Sequence, residues 1–307
     1  MSKGDRKAPI LVTGSPRSGT TWTGRMLAAA PGTAYLHEPF HYNNALLNER
    51  PARLFQYVSP AESERYTKLV GDLLQWKFPW RRRMQNVRTP RNIVGLLKGN
   101  WRFMQLRSTN ARPIFKDPIA LFSSEWLAKT FDMDVLMMIR HPAAFCSSVK
   151  LRDWRTDFDN FLSQSALMDR YLGQYESEMR RQTTTKTSII SNAILLWNCT
   201  HHVIKIFRDE NPDWLFIRHE DLSRDPIEQF RMIYRTFGLE FSNEAEHAIL
   251  DSSGEHNPVE QVESAPRMRN SKENINNWKK RLSADEIAEV REQTSEIWPV
   301  FYSESEW

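Results

Sequence analysis

Five short apolar runs are spread along the chain, and each gives way to glycine, proline or charged residues. Ile10 to Thr13 is followed by Gly14-Ser15-Pro16-Arg17-Ser18-Gly19 and then by a helix-compatible stretch from Thr20 to Ala30. This order predicts strand, glycine loop, helix. Ala34 to Leu36 closes at Glu38-Pro39, and Pro113 to Phe115 closes at Lys116-Asp117-Pro118. Val135 to Ile139 is the continuous apolar run that a strand covered on both faces needs, and His141-Pro142 opens a helix behind it. Trp214 to Ile217 repeats the pattern. The helix that follows it carries a capping box, with Asp225 as N-cap, Pro226 at the first helical position and Glu228 reaching back. Ser283 and Glu286 form a second box.

Repeated strand-then-helix order predicts an α/β fold: a parallel sheet with helices on both faces, whose ligands bind beyond the carboxyl ends of the strands. At 307 residues the chain suits a single large domain. Two stretches interrupt the alternation, 40–112, rich in Arg, Trp and Asn, and 152–186, with Asp157-Phe158-Asp159 and Thr183-Thr184-Thr185-Lys186. They are predicted to be helical or irregular insertions on the substrate side. With 40% hydrophobic and 26% charged residues, the composition argues against collagen-like, coiled-coil and wholly disordered classes.

No apolar run approaches the roughly eighteen residues of a membrane span, and Met1 to Lys7 is polar, so no span, signal peptide or anchor is expected. Cys146 and Cys199 lie in apolar helical contexts and cannot make a disulfide framework or a zinc site. A cytoplasmic location and chemistry without a metal are the expectations. The formal charge of +4 arises from 42 Lys and Arg against 38 Asp and Glu, too mild an excess to indicate nucleic acid. Arg81-Arg82-Arg83 and Arg88-Thr89-Pro90-Arg91 fit a solvated face or loop, and no nucleic-acid-binding motif accompanies them.

From Gly14 the spacing is glycine, four residues, Gly19, then Thr20-Thr21, a P-loop-like pattern in which Thr20 stands where a Walker A loop has lysine. A strand, loop and helix start present backbone N–H groups to an anion, and the two threonine hydroxyls can add donors. A nucleotide kinase needs the missing lysine on its phosphates, whereas here the cation is Arg17, two residues before the second glycine. A plain βα turn is the bland alternative, and Pro16-Arg17-Ser18-Gly19-Thr20-Thr21-Trp22 is more constrained than a lone glycine pattern.

That segment resembles the 5′-phosphosulfate loop of sulfotransferases that use 3′-phosphoadenosine 5′-phosphosulfate (PAPS). In that family an arginine after a central strand and a serine eight residues later bind the 3′-phosphate, and Arg140 and Ser148 have this spacing, with Ser147 a local ambiguity. An arginine fork and a hydroxyl on the next helix can hold a dianion without metal. Arg218-His219-Glu220-Asp221-Leu222 is similar to a strand end of glycan sulfotransferases, and reads as structural because its polar groups can cap the adjoining helix. The stretch from Arg269-Asn270 to Trp278-Lys279 is similar to their cofactor-closing segment, which implies adenosine-phosphate contacts from Arg269 and Lys272. The resemblance also implies that Trp22 stacks on adenine; a core position on the first helix is the alternative.

Transfer of a sulfuryl group to a hydroxyl requires a base for the hydroxyl proton and cations for the charge growing on the leaving phosphate. Aryl and steroid sulfotransferases place a histidine just after a lysine, and Phe115-Lys116-Asp117-Pro118 lacks it. Lys116-Asp117-Pro118 resembles the tyrosylprotein branch instead, where the lysine approaches the leaving group. In the tyrosylprotein and glycan branches a glutamate follows the loop arginine by twenty-one residues, the interval from Arg17 to Glu38. Glu38 is therefore the candidate base, with Arg17 and Lys116 as the catalytic cations and His37 and His41 as alternative bases. An exposed loop acid before a proline is the competing account of Glu38. His201 and His202 read as helix residues, and the two cysteines as buried thiols. The resemblance implies a PAPS-dependent enzyme acting on a hydroxyl of a carbohydrate or glycoconjugate, and, because no anchor of the kind Golgi glycan sulfotransferases carry is expected, a soluble one. A peptide tyrosine or small-molecule alcohol as acceptor, a P-loop kinase, and a non-catalytic nucleotide-binding protein are the rivals.

Overall fold

The computed structural model describes residues 7–85, 87–253 and 274–307. Five strands, β1 (Ile10–Gly14), β2 (Thr33–His37), β3 (Arg112–Lys116), β4 (Asp134–Ile139) and β5 (Leu215–Arg218), form one sheet in the order β2-β3-β1-β4-β5. All four pairings are parallel. Each strand matches one of the apolar runs of the sequence, and the α/β architecture is the one those runs predict.

Alternate side chains of the strands feed two cores. Ile10, Val12, Ile114, Leu136, Met138 and Ile217 pack on one face with Met26 and Leu27 of the helix Thr20–Leu27 and with Phe230 and Ile233. Leu11, Phe115, Val135, Met137 and Ile139 point the other way, onto Phe145 of the helix Pro142–Leu151 and Trp197 of the helix Ile189–Glu210. Burial on both faces explains why these strands read as unbroken apolar runs rather than alternating ones. Cys146 and Cys199 are fully buried in the second core, and burial pushes both thiols up, which leaves them un-ionised.

The register brings every strand's carboxyl end to one edge. His37 pairs with Lys116, Gly14 with Met138 and Ile139 with Arg218. At the opposite edge Arg112, almost fully buried, donates to the carbonyls of Ala8 and Phe237 and to Asp134. The interrupting stretches are mainly helical, with Ser63–Leu74 and Pro90–Ser108 in the first and Glu176–Thr184 in the second.

Two local expectations change. The first helix ends at Leu27 rather than Ala30. The box at Asp225 is only half formed: Asp225 accepts from the Glu228 amide at 3.4 Å, while the Glu228 carboxylate pairs with Arg231 one turn on. The Ser283–Glu286 box is complete in both directions. Among the arginines of 81–83, Arg82 and Arg83 donate to the carbonyls of Tyr42 and Ala45, and Arg81 pairs with Glu49, so the cluster is partly structural.

Candidate active site

The glycine loop is built by close approach. Gly14 has φ 133°, and a Cβ there would lie 2.1 Å from the Met138 carbonyl oxygen, so β1 can pass β4 at this point only without a side chain. Gly19, at φ 88°, is the N-cap of the helix Thr20–Leu27, and a Cβ on it would lie 2.5 Å from His219 Nδ1. Between them Ser18 Oγ donates to the Ser15 carbonyl at 2.6 Å, and Pro16 and Ser18 are buried. No side chain caps the first turn of this helix, so its N–H groups and dipole present a fixed positive end at the sheet edge. Thr20 is buried and Thr21 half-buried in that turn.

Arg17 joins this loop to β4. It sits in the left-handed region at φ 63°, donates from Nε to Ser148 Oγ at 2.9 Å, and accepts at its carbonyl from Arg140 Nη1. Arg17, Arg140 and Ser148, distant in sequence, thus form one constellation. Arg140 Nε and the Ser147 hydroxyl are both buried without a hydrogen-bond partner among the described residues. A buried polar group left unpaired costs about 1–3 kcal/mol, so each is a group that a polar ligand would satisfy.

The backbone of Arg140 is held from both sides by the helix Ile189–Glu210, a feature no sequence motif signals. Trp197 Nε1 donates to the Arg140 carbonyl at 3.0 Å, and His201 Nε2 accepts from the Arg140 amide at 3.5 Å. His201 Nδ1 faces the Trp197 carbonyl at 3.0 Å and its ring stacks on Trp197 at 4.0 Å. Burial pushes its pKa down to about 3, so the neutral ring has Nδ1 as donor and Nε2 as acceptor. Glu220, fully buried, accepts from the His141 amide at 3.1 Å and from the Tyr302 hydroxyl at 2.8 Å. Burial raises its pKa and the charge of Arg140 opposes that rise. The Arg218–Leu222 segment thus caps a helix, though it is the one beginning at Pro142 rather than its own. Arg218 pairs with Asp221 and Glu306.

On the other side of the loop, Lys116 Nζ lies 2.5 Å from Glu38 Oε1. Lys116 is fully buried, yet its stem fits because Gly24 faces it across the helix Thr20–Leu27. Burial pushes the Lys116 ammonium down and the Glu38 carboxylate opposes this. Glu38 remains about one-fifth exposed, follows β2 directly and adopts φ 48°. Asp117 fixes the turn after it by accepting from the Phe40 amide at 2.6 Å and the Ile119 amide at 3.0 Å, and burial raises its pKa to about 7.

The alternative bases lie beside Glu38. His37 contacts the Tyr35 hydroxyl at 3.1 Å, and its pKa is lowered by burial and by Lys116. The His41 amide donates to the Glu38 carbonyl, and its ring stacks on Tyr42. Trp22 packs edge-on against Phe230 and donates to Ser252 Oγ at 2.8 Å, half-buried at the margin of the core. Arg269 and Lys272 lie outside the described residues. No group of three or more His, Cys, Asp or Glu among the described residues is disposed to hold a metal ion, and no described helix is long and apolar enough to cross a membrane.

Among solved structures, the chain is similar to the sulfotransferase domain from the curacin biosynthetic pathway, at 16% identity over 95% of this chain and 99% of that one (TM-score 0.48). It is similar to sulfotransferase STF1 from Mycobacterium tuberculosis at 20% identity over 88% and 76% (TM-score 0.41). It is also similar to mouse sulfotransferase SULT7A1, solved with PAP, at 13% over 98% and 86% (TM-score 0.46). No curated protein matches the sequence significantly. Residues 9–243 match the family model described as "Sulfotransferase family", a span that takes in the glycine loop, the Glu38–Lys116 pair, Arg140, Ser148 and the end of β5, and the chain belongs to that family.

Proposed function

We propose that this sulfotransferase takes its sulfuryl group from PAPS and delivers it to a hydroxyl of a carbohydrate or glycoconjugate, with Glu38 as the base. The observation that carries the reading is the ion pair between the partly exposed Glu38 and the buried Lys116, at the same sheet edge as the glycine loop. The residues fit the donor: Gly14 and Gly19 keep the loop open where a Cβ would collide, and Arg140 Nε and Ser147 Oγ are buried without a hydrogen-bond partner among the described residues. Pro16 to Trp22 would hold the 5′-phosphosulfate end, and Arg140 with Ser148 the 3′-phosphate. When bound, the donor supplies an electrophilic sulfur and a phosphate leaving group.

Glu38 takes the acceptor's proton on its carboxylate. Lys116, fixed on Oε1, orients that carboxylate and sets a positive charge beside the transfer path. Arg17 and the helix N-terminus stabilise negative charge on the departing phosphate, the role that cations and aligned N–H groups play in preorganised sites. The carbohydrate acceptor rests on the resemblance of Arg218–Leu222, and of the stretch from Arg269 to Lys279, to glycan sulfotransferases. A peptide tyrosine is the second reading, favoured by Lys116-Asp117-Pro118.

The test is transfer of 35S from labelled PAPS to a panel of oligosaccharides, tyrosine peptides and simple alcohols, with Glu38→Gln protein alongside. Labelled saccharide made by the native enzyme and not by Glu38→Gln supports the reading. Labelling of tyrosine peptides alone moves the acceptor, and no labelling of any hydroxyl overturns the donor assignment.

A further inference from the structure

The helix Pro90–Ser108 is anchored by one edge only. Phe103 is its single buried residue, packed edge-on against Trp76 and Phe78, with Leu96 and Leu106 partly covered on the same side. The opposite side is apolar as well: Ile93, Val94, Leu97, Trp101 and Met104 are each at least half exposed. Ile93, Leu97, Trp101 and Met104 follow the i, i+4, i+8, i+11 spacing of a single stripe, with Val94 beside it. The apolar face is therefore a ridge projecting away from the protein, not a groove. A patch of this kind on an otherwise polar surface marks an interaction site.

Charge identifies what the ridge meets. Between Asp72 and Asp117 the sequence contains no acidic residue. Arg88 just before the helix and Arg91, Lys98, Arg102 and Arg107 on it are all exposed. Two copies of the chain paired along this helix would bring Arg91, Lys98 and Arg102 against the same charges. A projecting ridge would also need a groove in any protein partner, whereas a fluid lipid boundary shapes itself around it. Tryptophan and methionine on the apolar face with flanking lysine and arginine form the pattern of a helix lying in a membrane interface.

We infer that the helix Pro90–Ser108 docks the protein onto an anionic lipid surface, with Ile93, Leu97, Trp101 and Met104 entering the headgroup boundary and the flanking basic residues meeting lipid phosphates. The same insertion is tied to the catalytic edge. Arg82 and Arg83 bind the carbonyls of Tyr42 and Ala45, just after Glu38, and the helix leads into β3, which ends on Lys116. Docking here would hold the acceptor side of the site close to the lipid surface. This inference stands on the surface alone and does not depend on the identity of the acceptor.

The test is flotation of the full chain with vesicles of phosphatidylcholine, alone or mixed equally with phosphatidylglycerol. Two paired variants accompany it, Leu97→Glu with Trp101→Glu, and Lys98→Glu with Arg102→Glu; all four positions are exposed, and an unchanged Tm verifies folding. The native protein should float with the anionic vesicles and lose binding in high salt. Each basic residue near such a surface contributes about a fivefold gain in partitioning, so the charge-reversed pair should bind more than about tenfold more weakly. The acidic apolar-face pair should not float. Failure of the native protein to float, flotation indifferent to both pairs, a stable dimer abolished by Leu97→Glu with Trp101→Glu, or binding to polyglutamate without binding to vesicles would each overturn the inference.

Discussion

Glu38 and Lys116 are tied to each other twice: the Glu38 amide donates to the Lys116 carbonyl at 2.7 Å, and the Lys116 ammonium returns to Glu38 Oε1 at 2.5 Å. The backbone bond extends the β2–β3 ladder by one residue past His37, and the side-chain bond then holds Glu38 in a left-handed conformation that costs a non-glycine residue about 1–3 kcal/mol. Such a posture persists only where its surroundings enforce it. It aims a partly exposed carboxylate along the edge from which the glycine loop also rises.

If Glu38 is the base, Glu38→Gln keeps the shape and most of the polarity but cannot accept the proton. General-base catalysis contributes about a hundred- to ten-thousandfold, so kcat should fall by that order while affinity for 3′-phosphoadenosine 5′-phosphate hardly changes. Steady-state kinetics with calorimetry on the same preparation checks both. Full kcat in folded Glu38→Gln protein would move the role to His37 or His41.

The inner strands β1, β3 and β4 were legible because burial on both faces keeps their middles apolar, and the strands could be bounded because Gly14, Glu38-Pro39, Asp117-Pro118 and His141-Pro142 stop them at the ligand edge. The loop was legible because close backbone approach restricts Gly14 and Gly19 so severely. What holds Arg140 was not legible. His201, Trp197, Glu220 and Tyr302 reach it or its neighbour from other elements, and ordinary helical or strand-end contexts hide that role. Arg112 was hidden in the same way, since a charge at a strand start reads as exposed until the carbonyls of Ala8 and Phe237 are placed around it. The exposed stripe of Pro90–Ser108 has the periodicity of a core-facing helix, and only the fold shows which of its sides is covered.

Arg140 should carry discrimination for the 3′-phosphate. A charge-assisted hydrogen bond contributes about 1.5–3 kcal/mol, so Arg140→Ala should weaken 3′-phosphoadenosine 5′-phosphate binding roughly ten- to a hundredfold, with little effect on ADP. Ser148→Ala should lose less and also release Arg17 Nε. Calorimetry with both nucleotides decides this, and equal losses for the two would show that Arg140 does not read the 3′-phosphate.

Acid should destabilise the fold through two buried histidines. His141 stacks on Trp278 and meets Tyr302 and Trp307 edge-on, and burial together with Lys279, Arg140 and Arg218 pushes its pKa down to about 3, as burial does for His201. A histidine with a lowered folded pKa binds its proton more readily when unfolded. Its stabilising contribution is complete above about pH 6.5 and is lost as pH falls toward 3. By pH 4.5 each ring should have cost the fold about 2–3 kcal/mol. Asp117, raised to about 7, acts in the opposite sense between about pH 4 and 7, so the informative quantity is a difference between proteins. His141→Phe keeps the stacking and removes the titration. The denaturant midpoint of native protein should fall relative to that of His141→Phe protein as pH drops from 6.5 to 4.5, and parallel curves would contradict the assignment.

The reach of Lys116 depends on a residue that touches no ligand. A Cβ on Gly24 would lie 2.9 Å from Lys116 Cγ and 3.0 Å from Tyr35 Cε2, both too close, and Lys116 in its fully buried channel has little room to withdraw. Gly24→Ala also favours the helix by about 0.8–1.0 kcal/mol, which offsets part of the clash, so stability should change little. The displaced lysine stem should loosen the Nζ contact with Glu38 instead. Misplacement of a catalytic group by about 1 Å can cost on the order of a hundredfold, so Gly24→Ala should lower kcat by at least about tenfold with nucleotide affinity and Tm near native values. A purely architectural glycine would behave differently, with Tm and nucleotide binding falling together and kcat of the folded fraction intact. Full kcat in Gly24→Ala protein would show that Lys116 tolerates displacement and that its contact with Glu38 is not needed for transfer.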